Sequence, residues 1–112
     1  MTLRKKQSLF AQQVALLIQQ ATKLGYEVTF AEAYRTPEQA ALNAKSGRGI
    51  AKSLHTQRLA IDLNLFWDGK YLSDSEDHRP LGEWWERQHE LACWGGRFND
   101  GNHYSFTHGG RK

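Results

Sequence analysis

Apolar residues Phe10, Val14, Leu17, Ile18, Ala21 and Leu24 recur at three- and four-residue steps, which predicts a helix over 8–24 stopped by Gly25. Tyr26, Val28 and Phe30 then alternate with Glu27 and Thr29 as a half-buried strand does. Thr36-Pro37-Glu38-Gln39 reads as a helix start, with Thr36 as N-cap, Pro37 at the first helical position and Gln39 completing a capping box. That short helix is expected to reach Asn43. Residues 44–53, rich in Gly, Lys and Ser, predict a loop. From 58 to 66 the alternation is clean: Leu59, Ile61, Leu63 and Leu65 share one face, and Ala60, Asp62 and Asn64 the other. Asp68-Gly69 signals a tight turn that lets Tyr71-Leu72 pair back. Residues 73–79 are polar loop. Pro80 opens a helix expected to run to Cys93 and to end at Gly95-Gly96, and a last strand with Phe98, Tyr104 and Phe106 follows, entered through Asp100-Gly101-Asn102.

The length, 112 residues, is that of one domain, and with 39% hydrophobic and 24% charged residues the chain is neither disordered nor fibrous. Thirteen aromatic residues supply bulky core material. Cys93 is the only cysteine, so no internal disulfide forms and a buried, inert thiol is expected. A formal charge of +3 and a pI near 9.2 favour polyanionic surroundings without choosing among nucleic acid, anionic lipid and cell-envelope polymer. Arg4-Lys5-Lys6 precedes an apolar stretch, but Gln12, Gln13, Gln19 and Gln20 interrupt it, so no signal peptide is read and synthesis in the cytoplasm is expected. No run approaches the roughly twenty apolar residues that span a bilayer.

The chemistry concentrates in two segments, Ser53-Leu54-His55-Thr56-Gln57-Arg58-Leu59-Ala60-Ile61-Asp62 and Asp100-Gly101-Asn102-His103-Tyr104. A catalytic zinc takes three protein ligands from His and Asp or Glu and keeps its fourth position for water. His55, Asp62 and His103 meet that requirement if a bend near Arg58 brings the first two together and a neighbouring strand supplies the third. Peptide hydrolysis also needs a base, and Asp100, three residues before His103, is the candidate. Arg35, at the mouth of the Thr36 helix, is placed to balance a developing oxyanion or to hold a substrate carboxylate.

These segments resemble the metallopeptidase family of bacterial D-alanyl-D-alanine carboxypeptidases, vancomycin-resistance D,D-dipeptidases and phage endolysins that act as L-alanyl-D-glutamate peptidases. The family pattern is Ser-x-His-x-x-Gly-x-Ala-x-Asp, followed by an acidic residue separated from a His by two positions. An earlier Arg-Ser/Thr-x-x-x-Gln is matched by Arg35, Thr36 and Gln39, and a common Trp-Gly by Trp94-Gly95. The resemblance covers about residues 34–104. It implies an α+β fold of the hedgehog/DD-peptidase kind, a small antiparallel sheet with helices packed on it, forming a single zinc peptidase domain over 1–112. It further implies Zn2+ on His55, Asp62 and His103, Asp100 as base, Arg35 as substrate or transition-state stabiliser, and Gln39 and Ser53 as substrate-positioning residues. Asp rather than Glu at position 100 is similar to the endolysin branch. Two departures stand out. Arg58 replaces the family Gly, and Tyr104-Ser105-Phe106 lacks the Glu or Gln that often follows the aromatic.

The expected partner is a peptidoglycan stem peptide, cut between L-Ala and D-Glu, with D-Ala-D-Ala carboxypeptidase cleavage as the alternative, by a monomer without nucleic-acid or stable membrane association. Action on the wall then follows membrane permeabilisation. A non-catalytic zinc-stabilised wall-binding module and a basic nucleic-acid-binding domain are the competing classes. Asp100 argues against the module, which needs no base, and dispersed basic residues with no nucleic-acid motif argue against the other. Outside the proposed set, His78, His89 and His108 read as solvated, with His108 a substitute ligand should Arg58 disturb the site. Trp84, Trp85 and Trp94 read as mostly core. Lys45, Arg48 and Lys52 read as a solvated loop, or alternatively as a grip on an anionic wall strand.

Overall fold

The structure is a computed structural model that describes residues 1–50 and 52–112. Helix α1 spans Leu3–Lys23, longer at its start than the periodicity predicts because the Thr2 side chain caps it by accepting the Lys5 N–H at 3.2 Å. Gly25 ends it with φ +97°, and a Cβ there would lie 2.8 Å from the Trp67 ring, so no other residue fits. Strand β1 (Glu27–Phe30) follows, then α2 (Pro37–Lys45), β2 (Ala60–Trp67), β3 (Lys70–Tyr71), α3 (Arg79–Gln88), β4 (Ala92–Trp94) and β5 (His103–Phe106). Single 3-10 turns sit at Leu54–Gln57, Ser75–His78 and Gly95–Phe98.

The sheet order is β1-β2-β5-β4, with β3 paired back on β2, and every pairing is antiparallel. The architecture is therefore α+β, helices on a small antiparallel sheet. Asp68 and Gly69 carry the β2–β3 turn with φ +51° and +78°, the two positive angles of a two-residue hairpin loop. Leu59, Ile61, Leu63 and Leu65 are buried together with Phe10, Leu17 and Ala21 of α1 and Leu81 and Trp85 of α3. Each fully buried side chain of this size contributes roughly 1.5–3 kcal/mol. Trp85 binds the layers together: its ring stacks on Phe106 at 5.7 Å, meets Phe10 edge-on, and its indole N–H donates to the carbonyls of Cys93 and Ser105. No helix is long and apolar enough to cross a membrane among the described residues.

Several expectations need correction. The helix opened by Pro80 ends at Gln88, not Cys93, and Ala92-Cys93-Trp94 form β4 beside β5. A short apolar run fits a helix end and a buried strand equally well, and the extended backbone of His89 decides for the strand. Gly95-Gly96 consequently leave a strand rather than a helix. Phe30, expected inside, closes β1 69% exposed, because alternation assigns a side of the sheet but not what covers it. The capping box is half formed: Thr36 accepts the Gln39 N–H, while the Gln39 amide turns to Asn43. The helix it opens runs two residues past Asn43, and the loop expected over 44–53 includes residue 51, outside the described residues.

His78 is not solvated. It is 3% exposed, and its Nδ1 shares a 2.8 Å hydrogen bond with the Tyr104 hydroxyl. His89 stacks on Phe106, and His108 lies 3.0 Å from the Lys6 ammonium, away from any ligand cluster. Trp85 and Trp94 are core, as expected, Trp84 packs at its edge, and Cys93 is buried.

Burial lowers the His78 pKa to about 4, with Asp77 pulling weakly the other way. The folded state thus binds the His78 proton less readily than the unfolded chain, whose imidazole titrates near 6.5. Stability is unaffected above that value and is lost as pH falls from 6.5 towards 4. The loss is on the order of 3 kcal/mol. Urea titrations of wild type and His78→Asn at pH 7 and pH 4 are expected to show wild type losing that much relative to the variant.

Candidate metal centre

Asp62 and His103 are direct cross-strand partners on β2 and β5, which places their side chains next to each other on one face of the sheet. His55 arrives from the 3-10 turn at Leu54–Gln57, whose last cap is Arg58 at φ +55°. The left-handed backbone that a glycine supplies most cheaply is thus kept by an arginine, and the Arg58 guanidinium is stacked 4.0 Å above the Tyr34 ring. This is the bend expected from the sequence. It turns the chain from His55 into β2 and lets His55 and Asp62, seven residues apart in sequence, meet.

His55, Asp62 and His103 offer ligand atoms that all lie within 4.8 Å of one another. His55 Nε2 is 3.2 Å and His103 Nδ1 3.3 Å from the same oxygen, Asp62 Oδ1. Both imidazoles are buried. On its other side His55 Nδ1 makes a 2.9 Å hydrogen bond with the Ala33 carbonyl, an acceptor that requires the proton on Nδ1 and leaves the Nε2 lone pair facing Asp62. A lone pair facing a carboxylate oxygen is repulsive unless a cation lies between them. Three of the four buried side-chain polar atoms without a hydrogen bond among the described residues, Arg35 Nε, Asp62 Oδ1 and His103 Nε2, belong to residues lining this one cleft. The donor set fits a divalent metal, two imidazole nitrogens and one carboxylate with room for a fourth ligand.

Electrostatics agree with the geometry. Burial disfavours the Asp62 charge, but the close approach of His103 and His55 overrides it and holds the carboxyl at about 2. Burial likewise works against a charge on His55, and contact with Asp62 overrides it, raising the imidazole pKa.

Asp100 sits at the rim, its carboxylate half exposed and 3.9 Å from His103 Nδ1. Burial pushes its pKa up, His103 pulls it back, and Asp62 adds to the rise. The turn that presents it is fixed on several sides. The Asp100 N–H donates to Gly95 O at 2.8 Å, and Gly101 receives the Trp94 indole N–H on its carbonyl at 2.7 Å while its own N–H donates to Ser75 Oγ at 2.9 Å. Any Cβ at Gly95 would meet the Asp100 carbonyl at 2.1 Å, which explains why glycine follows Trp94.

Arg35 lines the same cavity, of about 330 Å³, and is paired with Glu32. Ser53 lines it as well, buried, its hydroxyl accepting the His55 N–H at 3.2 Å. Gln39 is outside the lining, on the exposed face of α2, with its amide on Asn43. Sequence reading missed the Glu32 pairing, the Ala33 carbonyl behind His55 and the Ser75 clamp on Gly101. Of these only the three-residue spacing of Glu32 and Arg35 left a trace in the chain.

No family model and no curated protein sequence matches the chain. Among solved structures the fold is similar to that of the Serratia marcescens L-Ala D-Glu endopeptidase ChiX, with a TM-score of 0.67 over 81% of this chain and 75% of that one, at 18% identity. At that identity the likeness establishes the fold, not the activity.

Proposed function

We propose that this protein is a zinc-dependent peptidoglycan peptidase that hydrolyses a stem-peptide bond, with the L-alanyl-D-glutamate bond as its target. The observation that carries the reading is the buried His55, Asp62, His103 cluster with Asp100 at its rim, on a fold shared with an endopeptidase of that specificity. His55, Asp62 and His103 would hold the zinc, which when bound supplies Lewis acidity, lowering the pKa of a water and polarising the peptide carbonyl.

The chain's own groups do the rest. Asp100, at the cluster's edge and with its pKa raised, accepts the water's proton and returns it to the leaving amine. Arg35 lines the cleft while paired with Glu32 and offers positive charge to the oxygen on which negative charge develops. Ser53 fixes the entry to the His55 turn through its hydroxyl and lines the floor where the peptide would lie. Gln39 would act on substrate only by leaving Asn43. A purely structural zinc module would gain nothing from a half-exposed carboxylate beside its ligands.

Treatment with a chelator is expected to abolish release of amino groups from purified cell wall, and stoichiometric zinc to restore it. Release that continues in chelator at undetectable zinc would remove the metal from the reaction.

A further inference from the structure

The cavity holding the cluster is lined by five charged side chains, Arg35, Arg48, Lys112, Asp62 and Asp100. Three of them are engaged. Asp62 is the cluster's carboxylate, Asp100 lies against His103, and Arg35 is paired with Glu32. Arg48 and Lys112 take part in no ion pair among the described residues. Arg48 is nevertheless placed: its backbone N–H donates to Asn43 O at 2.8 Å and its Nε to Ser46 Oγ at 3.0 Å. Its terminal amino groups are without partners among the described residues. The neighbouring Gly49 packs at the Arg35 guanidinium, where an added Cβ would lie 3.6 Å from Nη1, so this segment forms a wall of the cleft.

Cations without an ion-pair partner among the described residues, beside donors that fit a divalent metal, oppose its binding, and a neutral peptide would leave that repulsion in place. An anionic ligand reverses it. A guanidinium with both amino groups free is suited to a carboxylate, which it grips through two parallel N–H bonds.

We infer that the cleft selects a peptide with a free carboxylate close to the bond at the metal centre, and that Arg48 is the residue that grips it, with Lys112 adding charge. That the peptide is also cut rests on the peptidase reading above; the carboxylate selection does not. In the proposed substrate the group is the α-carboxylate of D-Glu, on the carbon that bears the scissile nitrogen.

The test is calorimetric binding of N-acetyl-L-alanyl-γ-D-glutamyl-L-lysine amide, and of the same peptide with the D-Glu α-carboxylate converted to amide, to metal-free protein, with cleavage of both by the zinc-loaded protein followed separately. Wild type is expected to bind the acid roughly tenfold more tightly than the amide. Arg48→Gln is expected to lose most of that preference, Arg48→Lys to keep part of it, and Arg48→Gln with Lys112→Gln to lose all of it. Equal binding of the two peptides by wild type, or a full preference surviving in Arg48→Gln, overturns the inference. Acid-selective binding through Arg48 without any peptide cleavage would leave the carboxylate site standing and remove the peptidase reading. Cleavage of both peptides with equal affinity would do the reverse.

Discussion

Asp100→Asn is expected to lower kcat on cell-wall peptides by roughly 10²- to 10⁴-fold while leaving fold and zinc content unchanged. The amide is nearly the same size as the carboxylate but cannot take a proton. Its position makes the separation of chemistry from metal binding feasible: the carboxylate is half exposed and 3.9 Å from His103 Nδ1, whereas Asp62 Oδ1 is 3.2 and 3.3 Å from the two imidazoles. The backbone bonds that hold the turn, from Asp100 N–H to Gly95 and from Gly101 to Ser75 and Trp94, do not involve the substituted atoms. Single-turnover rates and metal content measured on the same preparations check this. Zinc lost from Asp100→Asn would make Asp100 a ligand and displace Asp62 from that role, and an unchanged rate at equal zinc would remove Asp100 from the reaction.

The second large effect is on metal affinity and, through it, on stability. Replacing His55 or His103 by Ala removes one of the three candidate donors found among the described residues, so tight zinc binding is expected to be lost in either variant. Wild type is expected to bind about one zinc per chain. Because the ion binds the folded state, free zinc at a thousandfold its Kd adds about 4 kcal/mol, on the order of 15 °C in Tm for a domain of this size. Chelation is expected to lower the Tm of wild type by that order and to leave His55→Ala and His103→Ala unmoved. Full zinc occupancy in both variants would place the site elsewhere.

The His55, Asp62, His103 cluster was legible because its placement follows from local rules. Clean alternation through Leu59, Ile61, Leu63 and Leu65 fixes the side on which Asp62 lies, and the only disposition that then brings His103 to it is a neighbouring strand, the β2–β5 pairing observed. Even the position that departs from the family pattern behaves as the pattern requires: Arg58 adopts the left-handed backbone expected of glycine and rests its guanidinium on Tyr34. Less legible were features set by residues distant in sequence. His78 looked like any polar-loop histidine, and only the fold brings the Tyr104 hydroxyl to it across twenty-six positions. The end of α3 was missed because Leu91-Ala92-Cys93-Trp94 is apolar enough for either a helix end or a strand, and pairing with β5 decided it. Arg48 read as a solvated loop cation or, alternatively, a grip on an anionic wall strand, and nothing in Gly47-Arg48-Gly49 shows that this loop closes a wall of the cleft.

The central claim is that this cluster hydrolyses a stem-peptide bond, and digestion of purified peptidoglycan with the zinc-loaded protein, followed by mass spectrometry of the new termini, tests it most directly. The account predicts new amino termini on D-Glu and new carboxyl termini on L-Ala, appearing with wild type and falling to background with Asp100→Asn at matched zinc content. New termini at D-Ala alone would move the target bond to D-Ala-D-Ala. Intact stem peptides after incubation with protein carrying one zinc per chain would contradict the account.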